Sequence, residues 1–399
     1  MKYSEKIRND FPILKNITYL DSASTSLTPK VVVDSISDYY NNYNANIGRG
    51  TYKTSLKATK KIQKTRDRIA NLVNAKNNEI IFTLNTTTAI NIIANGFPFE
   101  KNDNIIISNI EHHSNFLPWI NLEKNNKINV KIAKADENGV INPSTIEDLI
   151  DKNTKLIAIS HISNSIGSYQ DIKEISKIIH EYEDKYLLID VAQSIGHNKI
   201  DVKDINADFI AAPGHKGLLG PTGTGFLYMK EEIGKSIKPR NLGGGTITNL
   251  NNKEFNLDEV PYRFEGGTQN ISGIIGLGKA IDYIENIKIS NIENHCKRLT
   301  KDLYEGLKDI NDIILYGNPE NIRSIVSFNI KGANPYDVSK ILDETADVYL
   351  RSGFLCAIPS LNHMNAKEGV VRASFHIYNN SDDIEKLVDN VKEIADFLK

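Results

Sequence analysis

The sequence predicts an α/β protein with a larger N-terminal domain on a mainly parallel sheet and a smaller α+β domain at the C-terminus. Short apolar runs alternate with helix-patterned segments from residue 79 onward, the rhythm of a parallel sheet with helices on both faces. The runs themselves, such as Tyr186-Leu187-Leu188-Ile189 and Phe209-Ile210-Ala211-Ala212, are apolar throughout, as strands buried on both faces are. A chain of 399 residues also exceeds what one core usually organises.

Taken in order, a polar lead reaches Tyr19-Leu20-Asp21-Ser22-Ala23-Ser24-Thr25, and residues 55–74 follow with a helical pattern whose Lys and Arg face water. Strands are expected over 79–84, 104–108, 129–133 and 155–160, alternating with helices over 87–95, 113–124, 143–151 and 172–182. The two runs quoted above and Gly225-Phe226-Leu227-Tyr228-Met229 continue the sheet; then the rhythm breaks at Gly243-Gly244-Gly245. A long helical stretch over 271–307 leads into a segment with strands over 324–330, 348–350 and 370–375 and a last helix over 382–398. The boundary is placed near 285, giving 26–285 and 286–399 as the two domains. Asn-rich pairs such as Asn77-Asn78 and Asn251-Asn252 read as loops.

Composition narrows the function. A net charge of −2 gives no electrostatic case for nucleic acid or a membrane surface. No run approaches the ~18 apolar residues of a membrane span, and the first residues lack the apolar core of a signal peptide. Two cysteines, Cys296 and Cys356, in so long a chain suit a reducing compartment, and a cytoplasmic location is expected.

Asp190-Val191-Ala192-Gln193 ends one apolar run, and Lys216 follows 26 residues after that aspartate, just past the next. Both therefore sit at strand C-terminal ends, where open α/β sheets bind ligands. Such a pair is what pyridoxal phosphate needs. The carboxylate keeps the pyridine nitrogen protonated as an electron sink, and the lysine amine condenses with the aldehyde. A lone Asp and Lys carry little in a chain that is 25% charged. Their wording carries more: Asp190-Val191-Ala192-Gln193 with Gly214-His215-Lys216, and Tyr19-Leu20-Asp21 near the start, resemble the class V aminotransferase family of pyridoxal-phosphate enzymes over nearly the whole chain. Within it the chain is most similar to the SUF-type cysteine desulfurases.

The resemblance implies a fold-type I architecture with a seven-stranded sheet, and residues 1–25 packed on the small domain. It places the cofactor phosphate on Thr86 and Thr87, in Asn85-Thr86-Thr87-Thr88, a strand-to-helix junction whose free N–H groups favour an anion in any case. Many relatives carry Glu at the position of Thr88. His215 would also touch the phosphate, while Pro213 stands where relatives often have a serine and offers neither hydroxyl nor N–H. His112, in Glu111-His112-His113, would stack on the cofactor ring and shuttle protons, the first histidine being favoured over the second. A metal at these two histidines is set aside, because chain neighbours rarely converge on one ion and no third His or Cys is near in sequence. Gln193 and Asn164 would reach the ring oxygen, and Asn164 the substrate carboxylate too, although on its own Asn164 reads equally as a turn cap. Thr268 would reach the phosphate of a neighbouring subunit, so the resemblance implies a homodimer with shared active sites.

Arg351-Ser352-Gly353-Phe354-Leu355-Cys356-Ala357 matches the Arg-x-Gly-x-x-Cys-Ala loop of the SUF-type enzymes, with Phe354-Leu355 where relatives often carry histidines. A lone cysteine is usually a small buried hydrophobe. Here the resemblance makes Cys356 the catalytic thiolate, with Arg351 beside it and at the substrate, and Arg372 the clamp on the substrate carboxylate, a bidentate task for guanidinium. Cys296, in a helical pattern, reads as structural. The implied reaction takes L-cysteine to L-alanine through a Cys356 persulfide. The sulfur would pass to a small acceptor of the SufE or SufU kind, or a scaffold, for iron–sulfur cluster assembly. Other class V activities, selenocysteine lyase, aminotransferase or epimerase, would keep Lys216, Asp190 and Arg372 without needing Cys356. A nucleotide site fits less well. Gly220-Pro221-Thr222-Gly223-Thr224-Gly225 precedes a strand where a dinucleotide motif follows one, and Gly234-Lys235-Ser236 lacks the first P-loop glycine.

Overall fold

Seven strands form the central sheet of the computed structural model, which describes residues 6–397. In spatial order they are Ile80–Thr83, Gly225–Met229, Phe209–Pro213, Tyr186–Asp190, Thr154–Ser160, Asn104–Ser108 and Asn129–Ala133, and Gly225–Met229 alone runs against its neighbours. Successive side chains on a strand point to opposite faces, and both faces here are cores. Ile106, Ile157, Ile189 and Ile210 join one buried cluster, while Ile105, Ile107, Leu156, Leu188 and Phe209 join the other. This two-sided burial is why the strands read as continuous apolar runs. Each fully buried Ile or Leu contributes about 1.5–3 kcal/mol.

The parallel strands end together, so Ser108, Ser160, Asp190 and Pro213 reach one edge of the sheet, with Ser160 paired directly to Asp190. The helix Thr86–Gly96 starts at that edge, straight after Ile80–Thr83.

A second, antiparallel sheet has the order Ile313–Tyr316, Ile325–Ile330, Val370–Ser374, Arg351–Gly353. Leu299, Leu303, Leu342 and Leu387, from helices Ile289–Lys308, Pro335–Ala346 and Ser381–Phe397, pack on Phe328 and Val371 of this sheet. Several sequence expectations change here. The stretch over 271–307 is two helices, Ile271–Ile287 and Ile289–Lys308, divided at Lys288, whose φ of 75° breaks the helical path. Val348–Tyr349 is not in the four-stranded sheet. It pairs in parallel with Thr18–Tyr19, and the sheet is completed instead by Ile313–Tyr316 and Arg351–Gly353. The helices Lys30–Asn42 and Pro335–Ala346 and the hairpin Ile247–Asn251/Glu254–Leu257, with Asn252 left-handed at its tip, are further elements the pattern did not announce. Residue 398, the expected end of the last helix, lies outside the described residues.

The N-terminal segment bridges the two parts. Leu20 lies in the core of the second sheet, Asp21 bridges to Ser374, and Arg8 pairs with Asp383 at 2.9 Å, whereas Phe11 and Leu14 join the core of the large sheet.

Candidate active site

Lys216 is placed by a tight crossing of two loops. A Cβ on Gly217 would lie 2.1 Å from the carbonyl oxygen of Ile195, and one on Gly196 (φ +80°) would lie 2.1 Å from that of Gly217, so neither position accepts a side chain. The carbonyl of Gly217 accepts a 3.0 Å hydrogen bond from Nε2 of the buried His376, whose Nδ1 accepts from the N–H of Ile377 at 2.7 Å. That pairing fixes His376 as the neutral Nε2–H tautomer.

The lysine lies in a cavity of about 550 Å³ at the sheet edge, lined also by Asp190, His112, Asn164, Cys356 and Arg372. Burial pushes the Lys216 ammonium down to about 8, against the opposing attraction of Asp190, with Arg372 adding to the drop. Burial also raises Asp190 to about 6, although its Oδ1 accepts the Ala192 N–H at 2.8 Å and Lys216 favours its charge. Gln193 lines the same wall and donates its amide N–H to the Ala23 carbonyl at 3.0 Å.

At the opposite end, Asn85 caps the helix Thr86–Gly96 by accepting the N–H of Thr88 at 2.9 Å, and its oxygen also takes the Thr88 hydroxyl. Thr88 thus serves the cap. Thr86 Oγ1 and His215 Nδ1 are buried against this end without a hydrogen-bond partner, and Thr87 Oγ1 pairs with Ser114 Oγ at 2.7 Å. Burial lowers His215 to about 4, leaving it neutral. Pro213 lines the cavity without a donor, as the sequence indicates.

His112 is brought to the cavity and His113 is not. Nδ1 of His112 accepts the Ser114 N–H at 3.0 Å, so the proton of the neutral ring sits on Nε2, and burial with Lys216 nearby lowers its pKa to about 3. The two rings stand 6.4 Å apart and do not converge. Among the described residues no group of three or more His, Cys, Asp or Glu could hold a metal ion. Glu111, fully buried, was not singled out by its sequence. It accepts from Ser108 Oγ and Ser160 Oγ, both at 2.5 Å, and from Asn115 Nδ2 at 2.7 Å, tying two strand ends to the His112 segment. Burial raises it to about 7 despite those donors.

The small sheet and the loop that follows it build another wall of the cavity. Arg351 and Arg372 are direct cross-strand neighbours, an arrangement that repels by itself. Asp21 resolves it, one carboxylate oxygen lying 3.2 Å from Arg372 Nη2 and the other 3.2 Å from Arg351 Nη2. Ser24 Oγ accepts from both guanidinium groups, at 2.7 and 3.0 Å. Arg372 is 2% exposed and has an unpartnered Nε, and its Nη1 donates to the Asn164 carbonyl at 2.8 Å. The Asn164 side chain is no turn cap: its Nδ2 donates to the Leu355 carbonyl at 2.8 Å, while its Oδ1 is buried and unpartnered. Leu355 and Cys356 are both left-handed, at φ 53° and 54°, and Cys356 is exposed. Neither is glycine, so the turn is held against an intrinsic cost of roughly 1–2 kcal/mol per residue.

Thr268 is the one expected residue the chain does not bring in. It lines a separate cavity of about 430 Å³ with Arg49, Arg66 and Gly245.

The cavity fits pyridoxal phosphate on its own chemistry. Orphaned Thr86 Oγ1 and His215 Nδ1 lie beside a helix N-terminus for the phosphate, a buried carboxylate has only Ala192 N–H and Lys216 to offset its charge, and a lysine is held near neutrality. The family model for class-V aminotransferases matches residues 18–387, and the chain belongs to that family. Several curated relatives bear the name cysteine desulfurase. It is 48% identical to a probable cysteine desulfurase of Methanothermobacter thermautotrophicus, covering 98% of each chain, and 39% identical to one of Pyrococcus abyssi, covering 100% of this chain and 99% of that one. Among solved structures, the apo cysteine desulfurase of Thermococcus onnurineus superposes with a TM-score of 0.95 at 39% identity, covering 98% of both chains. The cysteine desulfurase CsdA of Escherichia coli, as its S-sulfonic acid, superposes with a TM-score of 0.92 at 28% identity, covering 99% and 98%.

Proposed function

We propose that the protein is a pyridoxal-phosphate-dependent cysteine desulfurase that converts L-cysteine to L-alanine and leaves the sulfur as a persulfide on Cys356. The observation that carries this is the meeting of Lys216, Asp190, Arg372 and an exposed Cys356 at one cavity. Pyridoxal phosphate, when bound, supplies an electron sink that acidifies the substrate's α-C–H and weakens its Cβ–Sγ bond. Thr86, Thr87 and His215 hold its phosphate, His112 offers an aromatic face to its ring, Asn164 and Gln193 serve the ring oxygen, and Asp190 keeps a proton on the ring nitrogen.

Arg372 and Arg351 take the substrate carboxylate, which replaces Asp21 as their partner and is oriented by the fixed fork of Arg372. Lys216, with a pKa of about 8, is partly neutral in the physiological range and takes the α-proton on Nζ. The Cys356 thiolate then attacks the substrate Sγ. An S–S bond forms as Cβ–Sγ breaks, the electron pair left on Cβ gains a proton to become the methyl group of alanine, and Lys216 returns the α-proton it took. The persulfide is handed to an acceptor protein of the SufE or SufU kind, or a scaffold, for iron–sulfur cluster assembly. An exposed thiol that must stay free between turnovers suits a reducing, cytoplasmic setting. Among the described residues no helix is long and apolar enough to cross a membrane.

The test is alanine and sulfide release from L-cysteine with dithiothreitol, comparing the unmutated protein with Cys356→Ala. Both proteins should bind cofactor and absorb in the visible, and only the unmutated one should release sulfide, the variant falling by at least ~10²-fold. Equal activity in the two would remove Cys356 from the mechanism, and two inert yellow proteins would redirect the search to amino-group transfer or selenocysteine.

We further infer a homodimer in which Thr268, absent from its own cavity, completes the phosphate site of the partner. The division near residue 285 into a large domain and a small one carrying the Cys356 loop is read in the same way, from the helix break at Lys288. Thr268→Ala should weaken cofactor retention on dialysis by roughly 10–150-fold, the scale of one hydrogen bond to a charged group. Undiminished retention would take Thr268 out of the site.

A further inference from the structure

The two adjacent histidines have different surroundings, and the second has no part in the mechanism above. His112 faces the cavity; His113 faces the loop that carries the nucleophile. The backbone N–H of His113 donates to the Cys356 carbonyl at 2.7 Å, and Nε2 of its ring accepts the N–H of Ile358 at 3.3 Å. One residue of the cofactor-facing segment thus grips the chain on both sides of Ala357.

The loop needs such a grip. Leu355 and Cys356 are consecutive left-handed residues with side chains, a conformation that a free chain leaves. Immediately after them the short helix Ile358–His363 begins, and Ala357 offers no side-chain cap. Pro359 has no N–H to satisfy, so the Ile358 N–H is the first donor of that turn, and His113 is its acceptor. An accepting Nε2 requires the neutral ring with its proton on Nδ1. Asn164 holds the preceding carbonyl, that of Leu355, at 2.8 Å. The thiol is therefore located relative to the cofactor site through two residues, one from each wall.

We propose that His113 is a positioning residue for the Cys356 nucleophile, clamping the left-handed loop to the segment that presents His112. It rests on the desulfurase reading and adds a residue to it. The clamp explains how an exposed loop of the small domain keeps its sulfur at attacking distance from a substrate seated over Lys216 and Asp190 of the large sheet, since small misplacements of a reacting atom cost up to ~10²-fold in rate.

The experiment compares His113→Ala and His113→Gln with the unmutated holoenzyme. It reads kcat and KM for alanine formation, the visible absorbance of the bound cofactor, and backbone amide exchange across residues 354–360. In His113→Ala, kcat should fall roughly tenfold or more, with KM and absorbance unchanged and faster exchange across that segment. His113→Gln, whose Oε1 can accept the Ile358 N–H, should recover most of both. Unchanged kcat in His113→Ala, or a Gln variant as impaired as Ala with exchange unaltered in both, overturns the proposal. If the unmutated protein forms no alanine from cysteine, the desulfurase reading falls by itself. Exchange then decides the clamp alone: faster in Ala and restored in Gln sustains it, and unchanged exchange overturns it.

Discussion

Lys216→Ala is expected to stop turnover of L-cysteine, with a loss of at least ~10²–10⁴-fold, while leaving the fold intact. The size follows from the double role proposed for the amine, as covalent anchor of the cofactor and carrier of the substrate's α-proton. No other lysine lines the cavity among the described residues, so no neighbour can substitute. The fold survives because the side chain makes no structural ion pair, whereas the loop's path is set by Gly217 against Ile195 and by His376. Reconstitution with pyridoxal phosphate, followed by absorbance, far-UV circular dichroism and alanine release, checks all three parts. Far-UV spectra should superpose, the visible band should differ from that of the unmutated protein, and alanine should be absent. Retention of a tenth of the activity would mean that another group moves the proton, and the assignment of Lys216 would fail.

The residues of this site differ in how far sequence could disclose them. Asp190, Lys216, Thr86 and His112 were legible because each follows a strand whose continuous apolar run fixes where it ends, and parallel strands bring those ends together. Asp21 as partner of both arginines was not. It stands far from Arg351 along the chain, and only the bridge of Asp21 to Ser374 and the register of Arg351 with Arg372 join the three. Arg351–Gly353 is three residues long, too short to show an alternating pattern, so the strand that sets this register left no trace in the sequence. Glu111 was missed for the opposite reason: carboxylates are so rarely buried unpaired that nothing in Ile110-Glu111-His112 argues for it, and its donors Ser108 and Ser160 come from two strands. The break at Lys288 has no Gly or Pro to announce it, and His113 was hidden by its neighbour, since two adjacent histidines read as one motif until their surroundings separate them.

Asp190→Asn is expected to reduce turnover roughly a hundredfold or more and, at the same time, to stabilise the cofactor-free protein. The substitution is isosteric, and an amide oxygen can keep the 2.8 Å bond from Ala192 N–H, so packing changes little. What changes is charge. Burial raises the Asp190 carboxyl from 3.8 to about 6, which means the cofactor-free fold favours the neutral form. For an acid whose folded pKa lies above its unfolded one, the stabilising contribution is fully present below the unfolded value, declines as pH rises between the two, and is gone above the folded value. A neutral amide at this position carries no such penalty. The variant and the unmutated protein should therefore melt alike near pH 4, and above pH 6 the variant should be more stable by on the order of 3 kcal/mol, the attraction of the Lys216 ammonium being already contained in the carboxyl's raised value. Activity moves the other way because, in the role proposed for Asp190, the carboxylate's charge holds a proton on the cofactor's ring nitrogen, and an amide cannot. Thermal melts of cofactor-free protein at pH 4 and pH 8, beside turnover of the reconstituted variant, measure both effects. A variant that is inactive and gains nothing at pH 8 would show that the buried charge is already compensated before the cofactor arrives. One that gains stability and stays active would show that Asp190 is not the group that meets the ring nitrogen.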